Sequence, residues 1–400
     1  RHRDLCPVPA MPRLLVHAFV CTLTCLAAVG AAVEEDTSDV TSLLQLPGAR
    51  SLPPARRHAA AEKAPARRAR SIPSAAINLD LPPEERWREF YSAHRDNIIG
   101  AIKPSDSVYE GTMLSKNVDF TRYEEWVGEL RGIVNALNHS SITLDFLLDM
   151  ELGYELGVTK GCTSFLAANS EGTVLHGRNL DLPHGSQLFS SVFDATFYRG
   201  GKPVFVATQL WFMVGLTTAY RLGRYSVAQN TRPGCGDLDI NIAAAKRGAA
   251  PFTLLLRSLL QNVDNFAGAV HELAETPVIA PQYFTLAGAG AWEGALISRD
   301  RQGNPAPYAN VEVLSPQIGR WFIVQTNDDT WETALDERRP VALQKLSGMA
   351  AEMVNASSAL DVMMTTPVLN NLTVFTWIVE PATGLQQVFF GLDELHGDVI

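Results

Sequence analysis

"GVTKGCTSFLAANSEGTVLHGRNLD", residues 157–181, decides how this chain is read. Small and apolar residues run from Cys162 to Ala168, "NSEG" gives a turn signal, and "TVLHGRN" resumes strand character. The segment therefore predicts a β-hairpin. With Asn169, Ser170 and Glu171 as a three-residue loop, Ala168 pairs with Gly172. Cys162 then faces Arg178 on the same side of the sheet, with Cβ atoms roughly 5 Å apart. A slip of one residue would turn Arg178 to the other face. A cation beside a thiol favours the thiolate, which is the nucleophilic form. Asp181, just past the strand end, is placed either to hold Arg178 or to accept a hydrogen bond from an amine at residue 162. The nitrogen of Cys162 is tied up in the Gly161–Cys162 peptide bond. Breaking that bond makes the cysteine an N-terminal residue carrying both nucleophile and base, an established way to activate a nucleophile. A free α-amine titrates near roughly 8, so it needs a nearby cation or burial to act as a base in acid. Gly161 is small and leaves the scissile carbonyl open. Two plainer readings stand beside this one: Cys162 as a core strand residue, and Arg178 with Asp181 as a structural ion pair.

Outward from the hairpin, "SVFDATFY" and "PVFVATQLW" read as further strands separated by "RGGK". "FTLLLRSLLQNV" and "NFAGAVHELAE" read as helices. Strands return with "QYFTLAG", "GALISRD", "RWFIVQTN", "NLTVFTWIVE" and "LQQVFFGL", with helices in "RRPVALQKLSGMAAEMV" and "SALDVMM". Residues 76–160 read mostly helical. "PPEERWREFYSAHRDNIIGAI" opens with prolines and acids, and "YEEWVGELRGIVNALNH" sets Trp126, Leu130, Ile133, Val134 and Leu137 near a helical period. Strand blocks alternating with helix pairs predict an antiparallel sheet core covered by helices.

Of 400 residues, 46% are hydrophobic, enough for one large domain or two smaller ones. Residues 1–75 hold 10 Lys and Arg against 6 Asp and Glu, and the remainder 23 against 37. An acidic body with no clustered cations excludes a nucleic-acid footprint. "MPRLLVHAFVCTLTCLAAVGAA", residues 11–32, has the layout of a signal peptide, the other reading being a membrane anchor. Residues 33–75 read as a disordered basic pro-segment or linker, with Arg67, Arg68 and Arg70 as either a processing site or solvated charge. Of five cysteines only Cys162 and Cys235 lie in the body. They form either a bridge or leave a lone catalytic thiol. Sequons at Asn138, Asn355 and Asn371 agree with a glycosylated lumenal or secreted protein.

Cys162-Thr163-Ser164 followed by His176-Gly177-Arg178-Asn179-Leu180-Asp181 resembles the start of the mature catalytic chain in the acid ceramidase family. That family belongs to the cholylglycine-hydrolase-like N-terminal-nucleophile hydrolases, with N-acylethanolamine acid amidase as the sister group. "INLDLPPEERW" (77–87), "IAPQYFTLAG", "EGALISRDR", "GRWFIVQTN", "DERR" (336–339) and "PVLNNLTVFT" are similar to further family segments, several leaning toward ceramidase. The resemblance spans roughly 76–390. It implies an α+β fold, an αββα sandwich, and a zymogen cut before Cys162 into a helical α-subunit (76–161) and a β-subunit (162–400). Cys162 would be the nucleophile and its freed amine the base, with Arg178 and Asp181 positioning that terminus. Asn327 would help form the oxyanion hole, Arg338 would be an active-site arginine, and Asn230 a lining residue. Asn327 as a turn cap and Arg338 as a helix-terminal surface charge are the plainer alternatives. His176 reads as structural.

Departures are visible. Thr231 stands in "NTR" where relatives carry Glu, Asp328 stands where a tyrosine is expected, and the inter-subunit cysteines have no counterparts. The resemblance implies a lysosomal or secreted hydrolase acting on a lipid amide, ceramide or an N-acylethanolamine. It would need no cofactor and no metal. It would make peripheral membrane contact, with a saposin-type protein as a lipid-presenting partner. "VFVATQLWFMVGL" (204–216) is a candidate apolar mouth or a plain core strand. A lumenal lipid-binding protein without turnover is the alternative of another class.

Overall fold

The computed structural model describes residues 72–101, 115–153, 155, 161–183, 185–232, 238–301 and 309–390. The expected signal peptide, most of the basic segment and Cys235 lie outside the described residues.

The described chain enters through strand β1 (Ser74–Asn78), where buried Ala75 and Ile77 alternate with exposed neighbours. This strand starts inside the segment read as a linker and precedes the helices expected from residue 76. Its five residues are too short to stand out beside the helical pattern that follows. Helices α1 (Arg88–Ala93), α2 (Arg95–Ala101), α3 (Glu124–Leu137) and α4 (Leu144–Glu151) come next. In α3 the expected stripe of Trp126, Leu130, Ile133 and Leu137 is buried, and left-handed Asn138 ends the helix.

Six strands follow: β2 (Gly161–Ala168), β3 (Val174–Asp181), β4 (Val192–Arg199), β5 (Lys202–Leu210), β6 (Thr218–Arg221) and β7 (Tyr225–Thr231). Then come α5 (Leu238–Lys246), α6 (Phe252–Asn262) and α7 (Phe266–Glu275), and strands β8 (Gln282–Gly288), β9 (Gly294–Arg299), β10 (Ala309–Val313) and β11 (Phe322–Gln325). Helices α8 (Arg338–Ser347) and α9 (Ala356–Met363) lead to β12 (Thr373–Glu380) and β13 (Leu385–Phe390).

The strands form an eight-stranded sheet, β1-β4-β5-β6-β7-β8-β9-β10, and a five-stranded sheet, β11-β2-β3-β12-β13. The parallel pair is β1 with β4, and the other described strand pairs are antiparallel. Side-chain alternation gives each sheet two apolar faces. The inner faces pack on each other through Cys162, Leu180, Val206, Tyr220 and Trp377 toward one end, and Leu166, Val174, Tyr283 and Leu296 toward the other. The outer face of the larger sheet packs under Trp87, Leu130, Leu147, Leu256 and Leu273 from the helices. That of the smaller sheet packs under Ala342, Leu346, Val362 and Met363. Each fully buried large side chain contributes about 1.5–3 kcal/mol. The result is the expected α+β sandwich, helix layer, sheet, sheet, helix layer.

Candidate active site

The hairpin forms, with its loop one residue further on than the sequence suggested. Asn169 N–H donates to Thr173 O at 2.9 Å and Gly172 N–H to Asn169 O at 2.9 Å, so Ser170, Glu171 and Gly172 make the loop. Gly172 occupies the left-handed position (φ 86°) that closes such a turn. Ala168 therefore pairs with Val174, Cys162 with Leu180, and Ser164 with Arg178. A shift of two positions keeps Arg178 on the face of Cys162, as a diagonal neighbour rather than directly opposite. Its guanidinium still reaches the sulfur, with Nη2 3.4 Å from Sγ. Nη1 donates to the Thr217 carbonyl at 2.5 Å and the Thr218 hydroxyl at 2.6 Å on the facing sheet. Cys162 is a buried free thiol, and Cys235, its partner in the bridged reading, lies outside the described residues.

The backbone of Cys162 is held separately. Its N–H donates to Asn327 Oδ1 at 2.9 Å. Its carbonyl accepts from Arg338 Nη1 at 3.0 Å. Arg338, the first residue of α8, also donates to Asn327 Oδ1 at 3.0 Å and to Asp336 at 2.7 Å, and pairs with Asp181 at 3.3 Å. It is a buried hub rather than a surface charge, and the bonds to carboxylates are of the stronger, charge-assisted kind. Asp181 is the last residue of β3. Its carboxylate accepts from Thr373 at 2.7 Å and Asn370 at 3.1 Å, and its ion pair is with Arg338, not Arg178. Nor does it take the Cys162 N–H, which goes to Asn327. Burial raises the Asp181 pKa, and Arg338, Thr373 and Asn370 oppose that rise. Asp336 sits below its usual range: burial pushes it up, and the bonds from Arg338 outweigh that. Gly161 packs into this cluster. A Cβ there would meet Arg338 Nη1, Asp181 Cβ and Asp181 Oδ2 at 3.2 Å each, which accounts for the glycine.

Asn327 Nδ2 donates to the carbonyl of Thr231 at 2.8 Å. Asn230 accepts from the Ser164 hydroxyl at 2.7 Å and donates to the Gln325 and Thr326 carbonyls, tying the two sheets together. Asp328, unusual by resemblance, is paired with Arg339 at 2.7 Å. Arg232 grips Asp329 through two bonds of 2.8 Å, so the loop carrying Asn327 is clamped on both sides. His176 bridges Ser226 and Thr285, and burial, aided by Arg178, lowers its pKa to about 3. It is a neutral structural group, as read. Sequence reasoning passed over Asp336, Asn370, Thr373, Thr217 and Thr218. Asp336 alone left a signal, an acidic residue two before Arg338 that takes the helix-opening N–H.

A small cavity is lined by Leu180, Leu210, Met213, Gly215, Thr217 and Phe375, among others. Leu180 is the register partner of Cys162 and Phe375 that of Leu180, so the lining continues the row that begins at the cysteine. The segment 204–216 supplies the opposite wall. The sequon asparagines 138, 355 and 371 are exposed, and Asn355 caps α9.

No family model matches the chain. It is 32% identical over 316 residues to the N-acylethanolamine-hydrolyzing acid amidase of Rattus norvegicus, covering 76% of this chain and 85% of that one. It is 31% identical over 345 residues to the acid ceramidase of Rattus norvegicus, covering 77% and 84%. The solved Caenorhabditis elegans N-acylethanolamine-hydrolyzing acid amidase ortholog matches with a TM-score of 0.52 at 32% identity, over 57% of this chain and 99% of that one. These identities do not separate the two branches. Shared sequence along most of each relative, and a shared fold, establish that the chain belongs to the family of acid ceramidases and N-acylethanolamine acid amidases, which are amide hydrolases.

Proposed function

We propose that the chain is a cysteine amide hydrolase that is cut before Cys162 and then hydrolyses the N-acyl amide of a lipid, with ceramide as the first reading. One observation carries this: the sulfur, nitrogen and carbonyl of Cys162 are each held by a different buried side chain, Arg178, Asn327 and Arg338. In the cleavage step the sulfur attacks the Gly161 carbonyl. The C–N bond breaks, the acyl group moves to sulfur, and the nitrogen takes a proton. Water then releases Gly161 as a carboxylate. In turnover the freed amine accepts the thiol proton, sulfur attacks the lipid amide, and the proton passes to the departing amine. Water hydrolyses the thioester. Charge develops on the amide oxygen in both steps, and Asn327 Nδ2 serves as its donor once its bond to Thr231 opens or is shared.

The cavity along Leu180 and Phe375 is no larger than a water molecule in this structure and would have to widen to admit an acyl chain along its apolar residues. The identity to the rat amidase supports N-acylethanolamines as a second reading. The protein would act in the lysosome or outside the cell as an α/β heterodimer. It would work at a lipid surface, with a saposin-type protein presenting the substrate. The test is intact mass and N-terminal sequencing before and after incubation near about pH 4.5, beside Cys162→Ala, followed by assay of both amides. A new N-terminus at Cys162, absent in the variant, together with hydrolysis, is the expected result. A whole chain that binds lipid without turnover under all acidic conditions would replace this reading with a lumenal lipid-binding protein.

A further inference from the structure

Between β5 and β6 the wall of the cavity is a turn that no strand pairing fixes. Phe212 within it has φ 71°, a left-handed conformation that bulky residues adopt only where their surroundings impose it. Those surroundings are buried side chains, Tyr91 and Glu151 from upstream and Arg257 from α6, together with the Thr253 carbonyl that accepts from the Leu216 N–H at 2.9 Å. The Phe212 N–H donates to Tyr91 Oη at 3.1 Å. The Val214 and Gly215 N–H groups donate to the Glu151 carboxylate, the latter at 3.1 Å. The Val214 carbonyl accepts from Arg257 at 2.9 Å, and Arg257 is paired with Glu129, which also takes the Trp87 indole N–H at 2.6 Å. A Cβ at Gly215 would lie 2.6 Å from Glu151 Oε2, so only glycine lets the carboxylate approach this backbone. The same turn runs on to Thr217, whose carbonyl seats Arg178 against the Cys162 sulfur. Met213, Gly215 and Thr217 also line the cavity.

We propose that Tyr91 and Glu151 are positioning residues of the active site, holding the 212–215 turn so that it walls the cavity an acyl chain would enter. This rests on the reading of Cys162 as nucleophile. Both residues precede Gly161, so after cleavage they belong to the upstream piece. That piece is then a working part of the site, not a discarded propeptide. Arg257 on α6, Tyr91 on α1 and Glu155 after α4 face the Glu151 carboxyl. Burial lifts its pKa to about 7. Oε1 takes the Val214 and Gly215 N–H groups, and the Thr253 hydroxyl donates to Oε2 at 3.3 Å; with the carboxyl neutral in acid, Oε1 remains the acceptor for the turn and the Thr253 hydroxyl would turn to accept from Oε2. Glutamine reproduces that arrangement and alanine does not.

The experiment compares wild type, Tyr91→Phe, Glu151→Gln and Glu151→Ala, each incubated in acid and normalised to the cleaved fraction by mass. The substrates are a long-chain and a short-chain N-acyl amide. Tyr91→Phe removes one hydrogen bond and leaves the ring packed. It should cleave normally yet lose about fivefold in kcat/KM on the long chain, mainly through KM, and less than about twofold on the short one. Glu151→Gln should match wild type in acid, and Glu151→Ala should lose at least about tenfold on the long chain. Equal losses on both substrates, or wild-type KM for Tyr91→Phe and Glu151→Ala, would overturn the proposal while leaving the active-site reading intact. A wild-type chain without hydrolysis would remove that reading and this proposal together.

Discussion

The five-stranded sheet brings the thiol and the charged side chains to the site, and the eight-stranded sheet receives them with carbonyls and two neutral side chains, Thr218 and Asn230. Cys162, Arg178 and Asp181 lie on adjacent strands of the smaller sheet. From the larger sheet and the turn that precedes β6 come two carbonyls, Thr217 receiving Arg178 and Thr231 receiving Asn327. Residue identity is therefore demanding on one side and backbone placement on the other. Thr231 meets Asn327 through its main chain, so that contact does not depend on the Thr231 side chain.

The comparison predicts unequal losses. Arg338→Ala should be the largest among them, lowering kcat/KM on an N-acyl amide roughly a hundredfold, since it frees the Cys162 carbonyl and Asn327 together. It also strands the buried Asp181. Losing one partner of a buried pair costs about 3–5 kcal/mol, readable in urea unfolding, with the lower end apt here because the Arg338 side chain keeps 10% exposure. Arg178→Lys should cost about tenfold, because an ammonium reaches the Thr217 carbonyl or the sulfur but lacks the planar fork that serves both. Thr231→Val, which keeps the carbonyl, should cost less than about threefold. A Thr231→Val loss as large as that of Arg338→Ala would break the distinction between the two sheets.

The same contrast governs what the sequence disclosed. The hairpin was legible because period two and a turn signal are local. Its register was misplaced because Gly172 was taken as a strand residue when the turn needs it at positive φ. Cys162, Arg178, Asp181, Asn327, Arg338 and Asn230 do gather in one region, but their pairings were not legible. Asp181 joins Arg338, 157 positions away, and Asn370, 189 away. Nothing local distinguishes Asn370 or Thr373 from other turn residues. The 204–216 segment was read as an apolar mouth or a core strand, and it holds most of β5 together with part of the cavity lining, whereas Tyr91 and Glu151 look like ordinary helix residues until the turn is laid against them. Strand β1 hid because five alternating residues beside a helix carry little periodic signal.

The smallest effect separates the buried carboxyls by pH. Burial raises Glu151 from 4.5 to about 7, Glu155 from 4.5 to about 8, and Asp194 from 3.8 to about 6. Above the unfolded values and below the folded ones, the folded chain holds more protons than the unfolded chain. Their contribution to stability is then fully present in acid and declines as pH rises through the folded values. His176 acts in the opposite sense. Lowered from 6.5 to about 3, it favours folding above the unfolded value and loses that contribution as pH falls toward 3. Between pH 5 and 6 three carboxyls oppose one histidine, between 6 and 6.5 two do, and above 6.5 the histidine no longer changes. Tm should therefore fall by roughly 5 °C from pH 5 to pH 8. Glu155 alone carries the last part of that fall: its Oε2 is buried without a hydrogen-bond partner among the described residues, and an ionised Glu151 disfavours its charge. Glu155→Gln should flatten the curve between pH 7 and 8, where Glu155 acts alone, and make the fall shallower between pH 5 and 7, where Glu151 still contributes. A Tm that rises toward neutral pH in wild type would show that these carboxyls are not held neutral, and would undo the account of Glu151 as a group that serves the turn in its protonated form.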